Sequence, residues 1–121
     1  MNILFLAILS IAISVTAQFT LKAGMSAVPV TEAMAGPFSL RTLVTLFTDK
    51  YVFGGFVLYG LGAVVWLGVL SKWDVSKAYP LVGLGFAFTA IIGFLAGEQI
   101  SLQRAGGVAL ICAGVWVVAR S

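Results

Sequence analysis

The stretch NILFLAILSIAISVTAQFTLK, residues 2–22, decides the fold. Its apolar core is about as long as the ~20 residues a helix needs to cross the hydrocarbon of a bilayer. Within it Ser10, Ser14, Gln18 and Lys22 recur at every fourth position. At 100° per residue these four fall in an arc of about 120° on one helix face, a stripe about 18 Å long. Facing lipid, the stripe would leave hydrogen-bonding groups unsatisfied. It is therefore expected to turn toward other helices or a hydrated cavity.

The rest of the composition agrees with a membrane location. Of 121 residues, 61% are hydrophobic and 9% charged, so a soluble domain of this size would expose far too much apolar surface. Apolar runs at residues 3–21, 52–70, 78–96 and 102–119, each of 18 or 19 residues, predict an all-α membrane protein with four transmembrane helices in a single domain. Nothing is left over for a separate catalytic domain. The net charge of +3 comes from basic residues flanking the runs, which suits contact with anionic lipid headgroups and not nucleic-acid binding. Histidine is absent, Cys112 is the one cysteine, and none of the four acids (Glu32, Asp49, Asp74, Glu98) lies in mid-span. A metal centre, a disulfide or a carboxylate acid/base pair cannot readily be assembled from these, so neither enzymatic chemistry nor a cofactor is expected. Residues 3–13 followed by Val15-Thr16-Ala17 resemble a signal-peptide core, but the charge-free start Met1-Asn2 argues against cleavage.

Between the first two spans lies one long link, residues 23–50. Gly24 and Pro29 are expected to interrupt the first helix, and Gly36-Pro37 to mark a fresh start. Leu40, Leu43, Val44 and Phe47 then fall at i, i+3, i+4 and i+7, which predicts an amphipathic helix over 38–48 lying in the membrane interface. The alternative is an extension of the second span. That span carries Gly54, Gly55, Gly60, Gly62 and Gly68, a composition for close helix packing, with Tyr59 and Trp66 among them. A short interfacial hairpin is expected over residues 71–77, with Trp73 as its aromatic anchor. The third span opens on Ala78-Tyr79-Pro80, with Pro80 expected in its first turn. Tyr79 reads equally as an anchor or a binding residue. Ser101 is placed to cap the last helix, with Glu98 near the positive end of its dipole. Gly107 and Gly114, two turns apart, form a candidate dimer seam. Basic residues divide three against four between the two sides, a weak orientation bias that leaves dual insertion and an antiparallel dimer open. Four helices are also few for enclosing a solute path, which favours a dimer.

The runs Gly97-Glu98-Gln99-Ile100-Ser101 and Gly107-Val108-Ala109-Leu110-Ile111-Cys112-Ala113-Gly114-Val115 resemble the closing signature of the drug/metabolite transporter superfamily, in its four-helix EamA-like and small multidrug resistance branches. Ser14-Val15, Gln18 and Lys22 resemble the small subunits that flip aminoarabinose-linked undecaprenyl phosphate. Trp66-Leu67-Gly68-Val69-Leu70 leading to Val75 and Ala78-Tyr79-Pro80 does so too. Small multidrug exporters place a proton-exchanging glutamate eight residues before a lysine. The equivalent here is Ser14, which cannot titrate near neutral pH, and the tryptophan expected three residues after Tyr79 is Val82.

The resemblance therefore implies a flippase for a polyprenyl-phosphate-linked sugar in the cytoplasmic (inner) membrane, acting as a homodimer or with a paralogous chain. Its expected substrate-binding residues are Ser10, Ser14, Gln18, Lys22, Arg41, Trp66 and Tyr79. Hydroxyl and amide groups would bind the sugar, Lys22 the phosphate, and Arg41 would assist. Lys22 also reads as a snorkelling helix-end anchor. A metabolite or cationic-drug exporter and a non-transporting subunit for a glycosyltransferase are the competing expectations.

Overall fold

The computed structural model describes residues 2–121; Met1, on which the signal-peptide reading partly rests, lies outside them. The first helix, α1, runs Ile3–Met25, its N-terminus closed by the Asn2 side-chain oxygen, which accepts from Leu4 N–H at 2.8 Å. Gly24 lies inside α1 and does not end it. A Cβ there would stand 2.6 Å from Val52 Cγ2 and 2.7 Å from Val52 N, so the glycine marks a backbone contact and not a break.

The link between the first two spans is largely helical: the first helix stops ahead of Pro29, at Met25, and a new one follows. Pro29 sits in the first turn of a short helix, α2 (Val28–Ala35), where its missing N–H costs nothing. Gly36 ends that helix, and Pro37 lies outside either neighbour instead of starting the next one. The amphipathic segment is α3 (Leu40–Thr48), tied at its start by Ser39 N–H donating to Thr42 Oγ1 at 3.2 Å. Asp49, in an extended conformation, separates it from α4 (Lys50–Leu70). The Asp49 carboxylate caps α4 by accepting from Tyr51 N–H at 3.0 Å and Val52 N–H at 3.1 Å. Phe47 of α3 stacks on Phe56 of α4 with ring centroids 5.3 Å apart.

The third crossing, Val75–Leu95, is not one continuous α-helix. It comprises α5 (Val75–Ala78), a 3₁₀ turn (Tyr79–Gly83) and α6 (Leu84–Leu95). Pro80 lies several residues inside this crossing, not in its first turn. Its ring excludes an N–H bond and crowds the carbonyl one turn earlier, and the chain answers by tightening to 3₁₀. The last helix is α7 (Leu102–Arg120), capped by Ser101 Oγ, which accepts from Arg104 N–H at 3.0 Å.

Among the described residues four helices are long and apolar enough to cross a membrane. The α1/α4 pair is the tightest. A Cβ at Gly55 would meet Leu21 at 2.6 Å, and one at Gly62 would meet Ser14 Oγ at 3.2 Å. The core gathers Ala7, Ile11, Val15, Val69, Ala78, Leu81 and Val115. By contrast α7 is peripheral: Val115 is its one buried residue, received by the cleft over Gly83. Lys77 over Trp73 (4.5 Å), Lys50 over Tyr51 (5.1 Å) and Arg120 over Trp116 (5.4 Å) are cation–ring pairs at span ends, where a membrane surface lies.

Candidate functional site

The stripe on α1 turns inward at its start, with Ser10 buried and Ser14 half-buried, while Gln18 and Lys22 are exposed. Ser10 is buried, and its hydroxyl donates to the Gly62 carbonyl at 2.7 Å. One turn on, Ser14 faces a cavity, and one turn further the Gln18 amide donates to the Tyr59 hydroxyl of α4. The cavity measures about 310 Å³ and is walled by α1, α4 and the third crossing. That size is within the roughly 300–1,000 Å³ of small-molecule sites.

Ser10, Ser14, Gln18, Trp66 and Tyr79 all line this cavity. Tyr59 and Thr89 complete its polar side, and Ile11, Val15, Val82 and Phe86 its apolar side. No carboxylate or cationic side chain lines it. Val82, Phe86 and Tyr79 are exposed at its rim, so it opens at the side of the helices. Of the seven threonines, the six others donate to backbone carbonyls; among the described residues Thr89 is the one without a partner. Its hydroxyl is available to a ligand. Sequence periodicity misses Thr89 because an isolated threonine in an apolar helix ordinarily bonds back to its own helix. Tyr59 was visible only as an aromatic residue among glycines.

The two cations are not brought to this cavity. Lys22 is exposed at the end of α1 and lines no part of it. Arg41 lines a separate cavity of about 420 Å³ between α2 and α3, with Glu32, Ser39 and Thr45. Gly107 borders a third cavity, between α6 and α7, while nothing lies within 4 Å of a Cβ placed at Gly114. Among the described residues no group of His, Cys, Asp and Glu is arranged to hold a metal ion.

Comparison with known proteins follows the same line. No family model and no solved structure matches the chain. The chain is 32% identical over 118 residues to the probable 4-amino-4-deoxy-L-arabinose-phosphoundecaprenol flippase subunit ArnF of Proteus mirabilis, an alignment covering 94% of this chain and 89% of that protein. It is 42% identical over 62 residues to the corresponding probable subunit ArnE of Pseudomonas savastanoi, covering 50% of this chain and 54% of the relative. Multidrug resistance protein EbrB of Bacillus atrophaeus is 42% identical over 78 residues, 62% of this chain and 67% of its own. With the four apolar helices, these similarities identify a multi-pass membrane protein related to small multidrug resistance proteins. The chain belongs to the ArnF/ArnE family of flippase subunits.

Proposed function

We propose that the chain is a transporter subunit that passes the sugar headgroup of a polyprenyl-phosphate-linked lipid between the leaflets of the inner membrane. One observation carries this: the cavity among the spans is uncharged and mostly apolar, with hydroxyl and amide groups of Ser14, the Gln18–Tyr59 pair and Thr89 along one side, and its rim is exposed. Hydroxyl and amide groups exchange hydrogen bonds with sugar hydroxyls without needing a counter-ion. A lipid tail stays in the bilayer beside an open rim, so only the headgroup needs shelter from hydrocarbon. The names of ArnF and ArnE support an aminoarabinose-phosphoundecaprenol type of substrate and, being names of subunits, work alongside a second chain.

A cationic-drug exporter fits less well, despite the similarity to EbrB, because a cation in mid-membrane calls for a carboxylate that the cavity lacks. The test is headgroup exposure in liposomes containing a glycosylated polyprenyl phosphate, with the chain alone and with its paralogue. Acceleration by wild-type protein and its loss in Gln18→Leu are expected. Equal headgroup exposure with and without the protein, in both preparations, ends the flippase reading.

A further inference from the structure

The central cavity has a neighbour that the polar stripe does not reveal. Between α6 and α7 lies a second space of about 400 Å³, and Phe86 and Thr89 form walls of both. Thr89, whose hydroxyl is unbonded among the described residues, therefore stands at the junction. The far end of this second space holds two opposite charges, Glu98 and Arg104.

Their setting is built by the turn between the helices. Gly97 has φ 95°, a left-handed conformation that turns the chain sharply after α6. Glu98 N–H then donates to the Gly93 carbonyl at 2.8 Å, and the carboxylate folds over Gly93 so closely that a Cβ there would stand 2.9 Å from Oε1. The helix α7 is capped by Ser101, so Glu98 does not serve that end. It lies against the C-terminal turn of α6, the negative end of a helix dipole, where a carboxylate is disfavoured unless a cation accompanies it. Among the described residues no cation pairs with it directly. Among the described residues no acid and base approach within 4.0 Å of each other, and the Arg104 guanidinium donates from Nη1 to the Gln99 carbonyl at 3.1 Å. A carboxylate and a guanidinium thus border one cavity at the end of the spans without a direct ion pair between them.

We infer that the α6–α7 cavity is a docking site for a headgroup carrying both an ammonium and a phosphodiester, with Glu98 receiving the ammonium and Arg104 the phosphate. The inference rests on the lipid-flippase reading and deepens it, since it names what distinguishes the headgroup taken. The ammonium supplies the counter-charge that Glu98 lacks, and the free guanidinium donors suit a phosphodiester. The headgroup then passes Thr89 into the uncharged central cavity. Two lipid classes carry this chemistry, an amino-sugar polyprenyl phosphate and phosphatidylethanolamine.

The full-length protein, extracted with membrane lipid, is examined by native mass spectrometry. The probes are an aminoarabinosyl polyprenyl phosphate, its N-acetyl analogue, which has no ammonium, and phosphatidylethanolamine. Wild-type protein is expected to retain the free amine over the N-acetyl form by about tenfold or more, the scale of a charge-assisted hydrogen bond. Glu98→Gln should retain the two alike, Glu98→Asp should keep the preference, and Arg104→Gln should weaken both. Retention of phosphatidylethanolamine alone, lost in Glu98→Gln, supports the site and assigns it to bulk lipid. Equal retention of amine and N-acetyl forms by wild-type protein overturns the inference without touching the flippase reading, and that arm needs no variant. A preference that survives in Glu98→Gln overturns it as well. Retention of no polyprenyl lipid or phosphatidylethanolamine by wild-type protein removes the inference together with the reading beneath it.

Discussion

Ser10 donates its hydroxyl to the carbonyl of Gly62 at 2.7 Å, across the seam between α1 and α4. This bond closes the start of the polar stripe against a neighbouring helix, and the next turn, at Ser14, is the first free to meet a ligand. Interhelical bonds of this kind in membranes are worth about 0.6–2 kcal/mol. Ser10→Ala should lower stability by that order, as reversible unfolding in bicelles would read, while a fully unchanged unfolding curve would contradict the bond.

The α1/α4 contact depends on missing side chains at particular glycines. A Cβ at Gly24 meets the Val52 backbone nitrogen at 2.7 Å, which cannot swing aside, whereas Gly60 has nothing within 4 Å. Gly24→Ala should therefore cost about 1–3 kcal/mol through overpacking. Gly60→Ala should leave the melting temperature in detergent unchanged or raised. Similar shifts for the two variants would refute the close approach.

Charge neutrality of the central cavity can be reversed. Ser14→Glu introduces a carboxylate beside Gln18 and Tyr59. A lipophilic phosphonium dye that wild-type protein does not hold should then bind, by fluorescence titration, and sugar-lipid flipping should fall at least tenfold, the scale of one buried charge mismatch. Persistence of full flipping would show that headgroups do not pass Ser14.

Thr89 offers a near-isosteric test. Thr89→Val removes a hydroxyl with no partner among the described residues, so stability should hold while flipping drops severalfold, about the loss of one ligand hydrogen bond. Thr45→Val, which removes a bond to the Arg41 carbonyl, is the control and should leave flipping intact. If both variants flip like wild type, Thr89 is no ligand.

Pro80 sets the rotation of Tyr79 relative to the cavity. Five residues in 3₁₀ geometry advance about 100° further than in α geometry, at ~120° against ~100° each. Pro80→Ala lets the crossing relax toward a continuous α-helix, which swings Tyr79 away from Val82, Phe86 and Thr89. Transport should fall more than thermal stability does. Lys22→Gln, outside every described cavity wall, should by comparison change flipping less than Arg104→Gln.

What the chain determined locally was legible in its order. Apolar run length gives the crossings, because a bilayer accepts only segments that satisfy their own backbone. The four-residue spacing from Ser10 to Lys22 gives a stripe, since helix periodicity is a property of neighbours. Ser101 as a cap follows for the same reason. Contacts between residues far apart in sequence were decided by the tertiary structure. Periodicity says that a stripe exists but not which helix it meets, so Tyr59 and Thr89 emerge only once α4 and α6 are packed against α1. Gly24 and Pro29 have the look of helix breakers in sequence, yet one admits the Val52 backbone and the other opens α2. Lys22 and Arg41 seemed to finish one path, but the ends of α1 and α3 carry them to different places. Glu98 does not cap the helix it precedes, because the left-handed turn at Gly97 folds it back over Gly93.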